Sequence, residues 1–144
     1  MIEQDTIKLL QECNTGIQMG VSSIDEVMPS VKSEKLRSAL EDCKKENGQL
    51  GDMTHEMLNR YGDSAKEASP IAKGMSWMKT NVKLAVDSSD ATVAELITDG
   101  CNMAVKSLNG YLNEYEAAEE KAKDIAKRLI KLEEKLTKQV SSFL

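Results

Sequence analysis

The sequence predicts an all-α protein: one domain over residues 1–144, folded as an antiparallel four-helix bundle with a short extra helix in the crossover. Three observations carry this expectation. Aromatic residues make up only 3% of the chain, so the core has to be built from Leu, Ile, Val, Met and Ala. Such a core suits helices better than sheets, which favour β-branched and aromatic side chains. Only two prolines interrupt the sequence, and proline is the residue least tolerated inside a helix. Apolar residues recur at steps of three and four along most of the length, the mark of amphipathic helices.

The first helix is expected over 2–28. Its stripe is Leu10, Cys13, Ile17, Gly20, Ile24 and Val27, and Pro29 stops it. A turn over 29–33 follows, with Ser33 as the N-cap of the next helix. The second helix is expected over 34–61, where Leu36, Leu40, Cys43, Asn47, Leu50, Thr54, Met57 and Tyr61 alternate steps of four and three. That seam has the 3.5-residue period of bundle packing, and Gly62 is a natural stop. So short a connection makes the first two helices a hairpin.

Gly, Asp, Ser and Pro cluster over 62–70 and break the pattern. A crossover helix is expected over 71–86, with Ile71, Met75, Met78, Val82 and Ala85 on one side and Trp77 anchoring it to the bundle. Asp87 to Asp90 end it and cap the third helix, expected over 91–115 with Val93, Ile97, Cys101, Ala104, Leu108, Tyr111 and Tyr115 as its stripe. The periodicity then continues from Ala118 to Val140. A single helix of that extent would reach about 80 Å against about 40 Å for the first two, and half its stripe would have nothing to cover it. A break is therefore expected between 113 and 120, although no Gly or Pro marks it, with the fourth helix over 118–143.

Composition excludes several functions. The net charge of −5 comes from interspersed acids and bases, not from the concentrated basic surface that nucleic acid needs. No apolar run approaches a membrane span. The acidic N-terminus lacks the basic and apolar regions of a signal peptide, which points to the cytoplasm. Cys13, Cys43 and Cys101 are widely spaced, with no Cys-x-x-Cys, and read as buried thiols acting as small hydrophobes. The Lys-rich fourth helix carries Glu120–Asp124–Arg128 and Glu134–Lys138 at helical spacing, so it reads as a solvated face and not as a membrane-surface helix.

Two hairpins joined by a long crossover is the connectivity of ferritin-like bundles. The stretches LLQECNTGIQMG, NRYG, AKGMSWMK and LITDGCNMAVKSLNGYL resemble a small bacterial family of ferritin-like proteins related to rubrerythrin. That resemblance implies a ferritin-like fold and raises the question of a di-iron centre. Such a centre takes a Glu from each of two helices and Glu-x-x-His from each of the other two. The chain has one histidine, His55, preceded at the third position by Asp52. Its heptad phase puts His55 off the seam and Asp52 nearly opposite it. Glu12, Glu46 and Asp99 are the other acids that could be drawn inward, so Glu12, Glu46, Asp52, His55 and Asp99 form the candidate ligand set for iron or another divalent metal. Glu133 and Glu134 lie beside an apolar stripe already filled by Leu129 and Leu132.

No nucleophile–base pair, glycine-rich phosphate loop or zinc-type Cys/His spacing occurs. Gly16, Gly20, Gly48, Gly51, Gly74, Gly100 and Gly110 fall inside expected helices, where they suggest close helix–helix approach. Asn47 and Thr54 occupy seam positions, where a polar residue fixes register or oligomeric state. The eight methionines read first as irregular core filling and second as adaptable contact surface. Two functions follow. One is a non-enzymatic bundle without a cofactor, acting through a homodimer or contacts with another protein. The alternative is a rubrerythrin-like metal-binding protein with an atypical ligand set.

Overall fold

The computed structural model describes residues 2–62 and 87–144. They form four helices: α1 (Ile2–Val27), α2 (Glu34–Arg60), α3 (Asp90–Glu114) and α4 (Glu120–Val140). Among the described residues there is no strand. The crossover helix expected over 71–86, with Trp77, lies outside the described residues.

Local chemistry sets each boundary. α1 ends one residue before Met28 because Pro29 cannot donate to the helix, and Met28–Ser30 closes as a 3-10 turn. Ser33 caps α2, its hydroxyl accepting the Leu36 N–H at 3.4 Å, and Gly62 follows the helix at φ +72°, a conformation that glycine adopts without strain. Ser89 caps α3 by accepting the Thr92 N–H at 3.2 Å. α4 begins at Glu120, two residues later than the apolar pattern suggests, and ends in a 3-10 turn over Ser141–Phe143.

The break between α3 and α4 is held from outside. The Ala117 N–H donates to Asp5 Oδ2 at 3.1 Å, and the Glu119 N–H donates to Thr6 Oγ1 at 2.8 Å. Both acceptors sit in the first turn and a half of α1, and the Tyr61 hydroxyl donates to Glu119 from the end of α2. At the other end, the Asp90 carboxylate accepts the N–H groups of Lys32 and Ser33 at 2.7 and 3.0 Å, so α2 and α3 start side by side.

α1 packs on α2, α3 and α4, and α4 packs on all of the other three. Asp25 meets Lys44 at 2.6 Å and Asn14 meets His55 at 2.8 Å, so α1 and α2 run in opposite directions. α2 and α4 do the same, through Tyr61–Glu119 at one end and Glu46–Lys135 at 3.8 Å further along. One continuous core runs through the bundle, with Leu9, Leu10, Leu36, Leu40, Leu58, Val93, Ile125, Leu129 and Val140 among its buried side chains. Each large aliphatic side chain of this kind contributes roughly 1.5–3 kcal/mol on burial.

The helix-interior glycines depart from the sequence expectation. Among the described residues, which leave out Gly74, two are approached to ordinary contact: the Cβ position of Gly51 lies 3.4 Å from Ile17 Cγ2, and that of Gly20 lies 3.7 Å from Asn47 Oδ1. Gly16, Gly48, Gly100 and Gly110 have open space where a Cβ would stand, so within the described residues they do not mediate close helix packing.

Candidate functional site

At mid-bundle lies a polar layer to which every helix contributes, buried at Cys43, Asn47 and Cys101 and half-buried at Gly20, Glu133 and Thr137. α1 supplies Gly20, α2 supplies Cys43 and Asn47, α3 supplies Cys101, and α4 supplies Glu133 and Thr137. Asn47 is only 1% exposed. Its Nδ2 donates to the Cys43 carbonyl at 3.0 Å and to Cys43 Sγ at 3.3 Å. Its Oδ1 is buried and has no partner. That oxygen lies 3.7 Å from the point where a Gly20 Cβ would stand, and Glu133 Oε1 lies 4.0 Å from the same point. Two acceptor oxygens therefore lie within 4.0 Å of the position that a Gly20 Cβ would take.

Burial governs the electrostatics of the layer. It pushes the Glu133 carboxyl above its usual range, while a hydrogen bond from the Cys101 thiol pulls weakly the other way. The Cys43 thiol is pushed up to about 12, first by burial and then by the neighbouring Glu133 and Glu46. Cys101 is raised further by burial and by Glu133. Cys13, in α1 outside this layer, is likewise pushed up to about 12, by burial and Glu12. Thiols held in this way are protonated and inert as nucleophiles. The layer therefore favours the neutral form of the Glu133 carboxyl.

The sequence-derived ligand candidates are dispersed. Glu12 is half-buried against the Tyr111 hydroxyl, where burial and then Glu12 raise the phenol. Glu46 pairs with Lys135, and Asp52 and Asp99 are exposed. His55 is exposed but not isolated: its Nε2 lies 2.8 Å from Oδ1 of the buried Asn14, and since that oxygen only accepts, Nε2 carries the proton. Among the described residues no three His, Cys, Asp or Glu side chains form a group that could hold a metal. The polar layer, with one carboxylate and no imidazole, does not fit a di-iron centre.

In the sequence Glu133 stands beside a stripe that Leu129 and Leu132 already fill. The signal was its spacing. Glu133 and Thr137 lie four residues after Leu129 and five after Leu132, on the flank that completes a wide apolar face with Ala126 and Ile130. Asn47 was identified as a seam residue; its unpartnered oxygen could not be.

A second feature lies on the surface. Met53 and Met57 floor a groove of about 570 Å³ between α2 and the start of α4, with Glu56, Arg60, Glu120, Lys121, Asp124 and Lys127 on its rim. Met53 is 39% exposed, and Met103 on α3 is 67% exposed. No described helix is long and apolar enough to cross a membrane.

Fold and site together define a four-helix bundle with a polar layer at its centre. Its fold is similar to that of a DUF305 fragment from Deinococcus radiodurans, seen by crystallography: the TM-score is 0.74 at 13% identity, over 96% of this chain and 93% of that one. At that identity the likeness concerns the fold alone. No family model matches the chain, and no curated protein matches it. These findings overturn the assignment to a rubrerythrin-related, ferritin-like family. The spaced glycines, single tryptophan and heptad pattern that suggested it are features that any long-helix bundle can carry.

Proposed function

We propose that this protein is a non-enzymatic helical bundle that acts by associating with a second copy of itself through the Met53–Met57 groove. One observation carries this reading. The exposed Met53 and the buried Met57 beside it are bordered by three acids and three bases, Glu56, Glu120 and Asp124 against Arg60, Lys121 and Lys127. A twofold interface presents the same patch on both subunits, and a rim of both signs is complementary to itself. Methionine supplies an adaptable apolar contact. The interior supports the reading too: its thiols and carboxyl, all raised by burial, suit a structural layer better than an active site. Within this proposal the protein works without a resident cofactor, in the cytoplasm, where three unpaired thiols are stable.

Sedimentation velocity over a concentration series tests this. The wild-type chain should pass from monomer to dimer as concentration rises. Met53→Glu should remain monomeric with an unchanged helical spectrum. A wild-type chain that stays monomeric throughout the series, or a Met53→Glu variant that dimerises normally, would overturn the reading.

A further inference from the structure

We propose that the central polar layer is a proton-operated latch: when Glu133 loses its proton, the layer opens locally and exposes the thiols of Cys43 and Cys101. The geometry supplies the argument. Glu133 reaches from α4 to the neighbourhood of Gly20, where its Oε1 and the unpartnered Asn47 Oδ1 lie 4.0 and 3.7 Å from the point that a Gly20 Cβ would occupy. A neutral acid can sit near an unpaired acceptor, but a carboxylate there adds a partly desolvated charge beside another negative dipole.

The side chains packed around Glu133, which is itself partly exposed, offer that charge no cation. α1 presents Gly20, and α2 presents Cys43 and Asn47. α3 presents the Cys101 thiol, whose hydrogen bond is the one interaction that favours the charged form. The nearby cation, Lys135 on α4 itself, lies 3.8 Å from Glu46 and acts on Cys43, as Glu46 does. Thr137, one turn along α4, donates to the Glu133 backbone carbonyl at 2.9 Å and not to its carboxyl.

The direction of the pH effect follows. The folded chain holds the Glu133 proton more tightly than the unfolded chain does. The stability this gives is complete below the ordinary glutamate pKa of about 4.3, and is lost as pH rises through the elevated value of the folded protein. Between those two values, the population of any opened form that solvates Glu133 grows by up to about tenfold per pH unit, and above the elevated value it levels off.

Cys13 provides an internal reference, because it is buried in α1 away from the layer. In the opened form every thiol ionises normally, so the ratio of alkylation rates at two cysteines reports their relative opening and cancels thiolate chemistry. The experiment is iodoacetamide labelling of the full chain over about pH 5 to 8, with each cysteine quantified by peptide mass spectrometry. The Cys43:Cys13 and Cys101:Cys13 ratios should rise several-fold with pH in the wild type. They should be flat in Glu133→Gln, which keeps the shape without the titration. Glu46→Gln, which frees Lys135, should retain the rise. Flat wild-type ratios, a rise that survives in Glu133→Gln, or a rise abolished in Glu46→Gln would overturn the latch. The readout does not depend on the dimer, since neither Glu133 nor the cysteines line the Met53–Met57 groove.

Discussion

Thr6 and Glu119 are 113 positions apart, yet the Glu119 N–H donates to Thr6 Oγ1 at 2.8 Å while the same hydroxyl donates to the Ile2 carbonyl at 2.6 Å. One buried side chain thus ties the turn between α3 and α4 to the start of α1. Thr6→Val keeps the shape and removes the acceptor, leaving the Glu119 N–H unpaired. It should cost about 1–3 kcal/mol in urea-monitored unfolding. Asp5→Asn retains an acceptor for Ala117 and should cost less.

This relationship also shows why one part of the fold could not be located from sequence. The apolar stripe runs unbroken from Val93 to Val140, and the turn carries no Gly or Pro. Only a length argument placed a break near 113–120. The residues that hold it, Asp5, Thr6 and Tyr61, lie on other helices, and no local pattern reports such a partner. The helices themselves were legible because Pro29, Ser33, Gly62 and Ser89 act through bonds to their immediate neighbours. The polar layer was half legible: Asn47 and Cys43 stood out on a regular seam, whereas Glu133 was hidden one step from Leu132.

His55 illustrates the same limit. Its heptad phase puts it off the seam and makes His55→Ala look neutral, a change of under about 0.5 kcal/mol. The structure gives it a bond to buried Asn14 at 2.8 Å. The variant should therefore cost about 1 kcal/mol, read as a lower urea midpoint. Asn14→Ala should cost as much again or more, and the double variant should cost less than the sum of the two.

The glycines give a prediction of opposite sign. Gly48→Ala and Gly110→Ala place a methyl group in open space on a helix and should each stabilise by about 0.5–1 kcal/mol. Gly51→Ala brings its Cβ to 3.4 Å from Ile17 and should gain little. Gly62→Ala, at φ +72°, should destabilise by about 1 kcal/mol. Thermal unfolding of the four variants ranks them.

Truncation after Tyr115 tests whether α4 belongs to the fold. α4 buries Ala122, Ile125, Ala126, Leu129, Leu132, Leu136 and Val140 against the other helices. Without it, the residual chain should lose its sharp transition in circular dichroism and bind a dye for exposed apolar surface. A truncated chain that still unfolds cooperatively would show that α4 is an accessory arm.

The polar layer carries a consequence for the order of folding. α1 with α2, and α3 with α4, are each joined by a connection of a few residues, so their contacts are close in sequence and inexpensive in loop-closure entropy. Gly20 with Asn47 is a contact of the first kind, and Cys101 with Glu133 of the second. Glu133 against Cys43 and Gly20 belongs to neither, because it joins the two hairpins. The acid is desolvated only when the preformed halves dock, and its proton is fixed at that moment. The refolding rate should therefore fall as pH rises through the Glu133 titration to the extent that the transition state already contains the docked halves. Comparing stopped-flow folding of wild type and Glu133→Gln across pH would place that docking event along the folding coordinate.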